Sequence, residues 1–345
     1  MTNVERALPA PAATPPVERP AADSAADTPP GPPAARAAVL PPPARPGDRV
    51  GVAALSGPAE TARLERGLMA LADLGFEPVS AVNVAQRHGL FAGEDAARLD
   101  AFHELAADPS IRAIFFVRGG HGLLRLLPRI DWDLLARHPR AYVGYSDLTP
   151  FLLQVVQRLG LVAFHGPMVA ADLARGLEDG ERESLLAALA GGYPVELPVE
   201  MEEVERARPA ADGPLLGGCL SLLTAVLGTP YAARLDGSLL FLEDVGEPLY
   251  RLDRMLTHLR LSGSLDAIHA MVFGHIGCLD APAQDPAGCI RPLRLALGEV
   301  PWPLAWGVAA GHRAPNLTLP LGLPSRLDPS GGRLVLGQAP GEERR

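Results

Sequence analysis

Three side chains of catalytic type stand at intervals along the chain: Ser146 in AYVGYSDLTP, Glu243 in SLLFLEDVGEP and His312 in PLAWGVAAGH. Each follows an apolar run of strand length. A hydroxyl beside an imidazole that a carboxylate orients is the set needed for nucleophilic attack on a carbonyl. The surroundings of Ser146 suit that chemistry. A strand-like AYVGY precedes it and the helical pattern LTPFLLQVVQRLG follows, so the serine falls on a strand-to-helix turn and is held out of the sheet. The amide of Asp147 is then one of the unpaired donors at a helix start, where it can hold an oxyanion. A plainer account is a capped helix, because Ser, Asp and Thr are favoured at helix starts in any case. Spacing leaves the partners open as well. His275 in FGHIG also follows an apolar run, and Asp244 adjoins Glu243.

A second turn, VRGGHGLL, follows the apolar run IRAIFFV. Glycines at 119 and 120 let backbone N–H groups approach a substrate oxygen closely, or serve a tight turn of positive φ. The spacing does not match the dinucleotide-binding GxGxxG. Ser56 in ALSGP, the Gly119-Gly120 pair and Ser146 all end apolar runs. In parallel sheets, sites form beyond the carboxyl ends of the strands. His165 in LVAFHGPM reaches the same edge, although a lone histidine beside a strand more often serves structure.

The elements that must position these groups alternate between short apolar strands and helices of ten to fifteen residues. The strands are RVGVAAL, FEPVSAV, IRAIFFV and AYVGY. This pattern predicts βαβ units and a parallel sheet. Residues 1–44, rich in Pro and Ala, cannot bury enough apolar surface to offset ordering and are expected to form a disordered tail. An N-terminal α/β domain is expected over 45–168. A polar, Pro-punctuated crossover linker should span 169–212, and a second domain carrying Glu243 and His312 should span 213–338. PLAWGVAAGH reads as a strand ending at His312, and NLTLPLGLPSRLDPSGGRLVLG as closure by a β-hairpin.

Composition excludes several classes. The 345 residues carry a formal net charge of -9, with no basic run, against a nucleic-acid partner. The chain contains no lysine, which removes Schiff-base, Ser–Lys and P-loop chemistry. Three cysteines without a CxxC pair, and nine histidines without HExxH, indicate neither a disulfide framework nor a metal site, and no cofactor is expected. No apolar stretch is long enough to span a membrane, and no signal peptide is read at the N-terminus, so a cytoplasmic location is expected.

Over residues 45–338 the chain resembles the LD-carboxypeptidase family of serine peptidases, which includes microcin C immunity hydrolases. The resemblance rests on RPGDRVGV, FAGEDAARL, VRGGHGLLRLLPRIDWD, VGYSDLT, FHGPM, LLGGCL, LGTP, FLEDVGEP, RMLTHL and AAGH. It implies an N-terminal parallel-sheet α/β domain, a β-rich α+β C-terminal domain, an active site at their interface and a homodimer. It implies Ser146 as nucleophile, Glu243 as orienting acid and His312 as base, with an oxyanion hole from the amides of Gly120, or neighbouring Gly119, and Asp147. Many members have Asn where Cys219 stands. The activity implied is release of the terminal D-alanine from murein tetrapeptide in cell-wall recycling. The alternatives are an immunity-type hydrolase of acyl-adenylate analogues and a non-catalytic small-ligand-binding protein on the same scaffold. A substrate carboxylate would need an arginine, for which Arg118 and Arg254 are candidates, with Gly119 and His165 as further contacts.

Overall fold

The computed structural model describes residues 38–280 and 286–338. Two sheets form the frame. The first has six strands in the order β11-β5-β4-β3-β1-β2: β1 (Arg49–Ala53), β2 (Glu77–Ser80), β3 (Ile111–Phe116), β4 (Ala141–Gly144), β5 (Ala163–His165) and β11 (Leu319–Leu321). The first five pair in parallel, as the apolar runs of β1, β3, β4 and β5 predict, and β11 is antiparallel to β5. The second sheet, of seven strands, runs β10-β9-β8-β7-β12-β13-β6. It comprises β6 (Val195–Pro198), β7 (Ala211–Cys219), β8 (Leu239–Glu247), β9 (Ala270–Cys278), β10 (Leu304–Ala305), β12 (Pro324–Asp328) and β13 (Arg333–Leu336). Its β7–β10 half is parallel, with crossover helices Leu220–Ala225, Leu249–Leu261 and Pro286–Leu297, and its other half is antiparallel. The described residues belong to one compact unit, so the sheets are lobes of a single body.

Side-chain alternation along β8 sets what faces the site. Leu239 and Phe241 enter an apolar cluster with β12, β13 and β11, while Leu240 and Leu242 enter the larger core under the helices. Successive side chains on a strand point to opposite faces. Glu243 therefore shares the face of Phe241, and Asp244 faces the helices.

Four expectations change. Residues 1–37 of the expected tail lie outside the described residues, but 38–44 are packed. Ala44 is 1% exposed, and Val39 N–H donates to Gly160 O at 2.8 Å. The 169–212 segment is more than a linker: it carries helix Asp179–Ala190 and edge strand β6, because Leu197, Val199 and Met201 alternate into the core. The C-terminal hairpin is β12–β13, but β11 before it crosses to the first sheet, so the segment from 213 onward serves both lobes. Finally, His312 is not on a strand. β10 stops at Ala305, Trp306 pairs with Glu200, and the chain continues as a loop beside β9, with His275 N–H donating to Ala310 O at 2.9 Å.

Candidate active site

Ser146 begins the 3-10 turn Ser146–Leu148 directly after β4 and Tyr145, ahead of helix Thr149–Gln154. Its φ of 62° puts a non-glycine residue in the left-handed region. Such backbone strain costs on the order of 1–3 kcal/mol and persists only where the surroundings impose it. Here the turn is held from both sides. The Leu148 N–H donates to Tyr145 O at 3.2 Å, and the buried Asp147 carboxylate accepts from Leu123 N–H at 2.9 Å. The second contact ties the glycine loop to the serine turn.

That loop passes directly over the serine. A Cβ on Gly119 would lie 2.7 Å from Ser146 Cβ and 2.8 Å from its Oγ, so only glycine fits. The Gly119 carbonyl accepts from Gly57 N–H at 3.1 Å. Across the planar trans peptide, the Gly120 N–H points the opposite way, away from Gly57. Gly120 itself has φ 106°, open to glycine at little cost. Arg98, fully buried, braces the same region: it donates to Leu55 O and to Gly122 O and pairs with Asp95 at 2.6 Å. It lies in the motif FAGEDAARL, at the start of helix Asp95–Ala107.

His312 joins the two lobes. Its Nε2 lies 2.9 Å from Ser146 Oγ and its Nδ1 lies 2.6 Å from Glu243 Oε2. A carboxylate only accepts, so Nδ1 carries the proton toward Glu243 and neutral Nε2 is left to accept from the serine hydroxyl. Glu243 is completely buried. Burial works to lower the His312 pKa. The Glu243 carboxylate, with Asp244 and Asp172 further out, outweighs it and raises the imidazole above its ordinary value. The Tyr145 ring packs edge-on to His312 at 4.9 Å. The loop is fixed by Asn316, whose Oδ1 accepts from Gly311 N–H at 2.9 Å while its own N–H donates to buried Glu181 at 2.6 Å. Glu181 in turn pairs with Arg175. Neither Asn316 nor Glu181 carries a sequence signal of its own; only the fold brings them together.

The competing residues are used elsewhere. Asp244 accepts from Ser221 N–H at 2.7 Å and from Val245 N–H at 2.8 Å, at the start of helix Leu220–Ala225. His275 is half-buried on β9, and its pKa is lowered by burial and then by Arg313. His165 is fully buried between the rings of Tyr145 and Phe241, and burial, with His312 and His275 nearby, pushes its pKa down to about 3. It packs as a neutral group against both rings. Arg254 is exposed on helix Leu249–Leu261 and stacks on Tyr250 at 5.3 Å. Arg118 does reach the site's edge, donating to Pro58 O at 3.1 Å with Nη2 3.7 Å from where a Gly120 Cβ would sit. Cys219 is buried, and burial raises its thiol well above the ordinary range, so it behaves as an apolar filler. Its N–H donates to Thr149 Oγ1 at 3.1 Å, a further link between the lobes.

A serine on a strained strand-to-helix turn, linked through His312 to a buried carboxylate, is the arrangement that a serine hydrolase needs. The chain belongs to the LD-carboxypeptidase family, matching the family's N-terminal domain over residues 50–166 and its C-terminal domain over 212–327. It is 35% identical over 303 residues to the murein tetrapeptide carboxypeptidase of Pseudomonas aeruginosa, covering 83% of this chain and 94% of that one. Among solved structures it resembles the muramoyltetrapeptide carboxypeptidase of Oxalobacter formigenes. That match has a TM-score of 0.75 and 29% identity, over 85% of this chain and 99% of that one. It also resembles the microcin C7 self-immunity protein MccF in complex with adenosine monophosphate. Here the TM-score is 0.78 and the identity 26%, over 87% of this chain and 99% of that one.

Proposed function

We propose that this chain is a serine LD-carboxypeptidase that releases terminal D-alanine from murein tetrapeptide in the cytoplasm. The observation that carries the reading is the unbroken series Ser146–His312–Glu243, with contacts of 2.9 and 2.6 Å drawn from both lobes. Ser146 Oγ attacks the amide carbonyl as His312 Nε2 takes its proton. Glu243 keeps Nδ1–H in place and stabilises the imidazolium. The amides of Gly120 and Asp147 receive the oxyanion, a donor of this kind being worth about 100- to 1,000-fold in rate. As the C–N bond breaks, His312 protonates the departing amine of D-alanine. A water then gives its proton to His312 and hydrolyses the acyl-serine, restoring the hydroxyl. Without lysine in the chain, no Ser–Lys route competes.

Family membership also admits the immunity-type hydrolase, which needs an aromatic face for adenine. Tyr193, the one aromatic between 169 and 212, is packed against both apolar clusters with its hydroxyl buried, which favours the peptide. An intact Ser–His–Glu series argues against a non-catalytic binder. The test is incubation with murein tetrapeptide and, separately, a processed microcin-type adenylate, followed by mass spectrometry. Free D-alanine from the first, abolished by Ser146→Ala, is expected. A folded Ser146→Ala protein that keeps full turnover would overturn the mechanism.

A further inference from the structure

Next to the glycine loop lies a cleft of about 270 Å³ whose walls include Gly57, Pro58, Gly120, Arg87, Arg118 and His121. No carboxylate lines it. Neither guanidinium takes part in an ion pair among the described residues; Arg118 donates only to the Pro58 carbonyl. Both arginines are exposed on the wall of one cleft, so its surface presents positive charge to an anionic ligand.

Hydrogen bonds tie down the backbone on one side of the cleft. Arg87 immediately precedes a turn closed by two hydrogen bonds, His88 N–H to Phe91 O at 2.8 Å and Phe91 N–H to His88 O at 3.0 Å. The base of its loop is pinned by buried Asn83, whose amide donates to Ala54 O at 2.8 Å and Ala92 O at 3.0 Å. His121 is fixed by stacking on Phe91 at 5.8 Å. The cleft also starts where the reaction ends: Gly120, the proposed oxyanion donor, is part of its wall. In a peptide whose last residue is the leaving group, the α-carboxylate lies only about 3–4 Å beyond the scissile carbonyl carbon.

We infer that Arg87 and Arg118 form a two-guanidinium clamp for the free α-carboxylate of the released residue, which makes this cleft the element that restricts the enzyme to carboxypeptidase action. Arginine pairs suit this because guanidinium binds carboxylate in a planar, bidentate manner. The inference rests on the hydrolase reading above. A capped C-terminus would leave both cations facing a neutral group, and an endopeptidase substrate would add chain where the clamp stands.

The experiment compares steady-state kinetics on murein tetrapeptide and on its C-terminal carboxamide, for the wild type, Arg87→Gln and Arg118→Gln. Charge-assisted hydrogen bonds of this kind are worth about 10- to 100-fold each. The wild type should prefer the acid. Each variant should raise KM for the acid about 10- to 100-fold with kcat retained, while turnover of the amide stays unchanged. Labelling of Ser146 by an active-site serine reagent should be unaffected. Equal loss on acid and amide, or a wild type indifferent to the cap, with labelling intact, would overturn the clamp alone. A wild type that turns over neither peptide and is not labelled would overturn the hydrolase reading and the clamp together.

Discussion

Replacing Glu243 by Gln tests the site with the smallest change of shape. It removes one negative charge 2.6 Å from His312 Nδ1 and leaves the volume of a fully buried side chain unchanged. At an effective dielectric near 20, an imidazolium–carboxylate pair with charge centres about 4 Å apart is worth about 4 kcal/mol. That attraction exists only when His312 is protonated, as it is during attack, so the loss falls on the transition state and amounts to roughly 1,000-fold in kcat. The amide adds a second penalty. If its NH2 faces Nδ1, the imidazole must hold its proton on Nε2 and cannot accept from Ser146. If its oxygen faces Nδ1, the NH2 occupies the place of Glu243 Oε1, which is buried without a partner. Either choice costs about 1–3 kcal/mol more. The pH profile carries an independent signature. His312 is raised because Glu243 outweighs burial, so wild-type kcat/KM should fall as pH drops through a value above the ordinary imidazole range. In the variant, burial dominates and the acid limb should move to lower pH. D-alanine release measured across pH, with thermal melts to confirm folding, reads both effects. A variant within about tenfold of wild type, with its acid limb unmoved, would refute the argument.

Two further outcomes follow from the geometry. Ser146→Gly should abolish turnover yet raise stability by about 1 kcal/mol, because glycine adopts φ 62° without strain; an unchanged or lower denaturation midpoint would contradict the strain argument. Asn316→Ala should leave the buried Gly311 N–H without its acceptor, destabilise the protein by about 1–3 kcal/mol and lower kcat more than it changes KM; a change in stability alone would reduce Asn316 to a structural role.

Much of the frame could be read from the residues alone. Apolar runs alternating with helical patterns specify the parallel strands β1, β3, β4 and β5, since strands covered on both faces need no polar alternation. The position of Ser146 on a strand-to-helix turn, beside the amide of Asp147, is likewise local information. So is the absence of lysine, which leaves base chemistry to histidine and carboxylate. Even β6 was written in the sequence, in the alternation of Val195, Leu197, Val199 and Met201, though its acidic and proline residues read as linker. Strand spacing alone left open which histidine and which acid face the serine; the resemblance implied His312 and Glu243, and the tertiary structure shows the packing that brings them there. β8 is buried on both sides, so its sequence carries no sign of which face is which, and Glu243 and Asp244 are equivalent until Phe241 is seen packing toward β11 and Leu242 under the helices. His312 gains its place from a loop held by Asn316 and Glu181, on segments 135 residues apart, and it meets a serine 166 residues away. Local sequence fixes backbone conformation over a few residues; a hydrogen bond across that separation exists only because two sheets pack at one particular orientation.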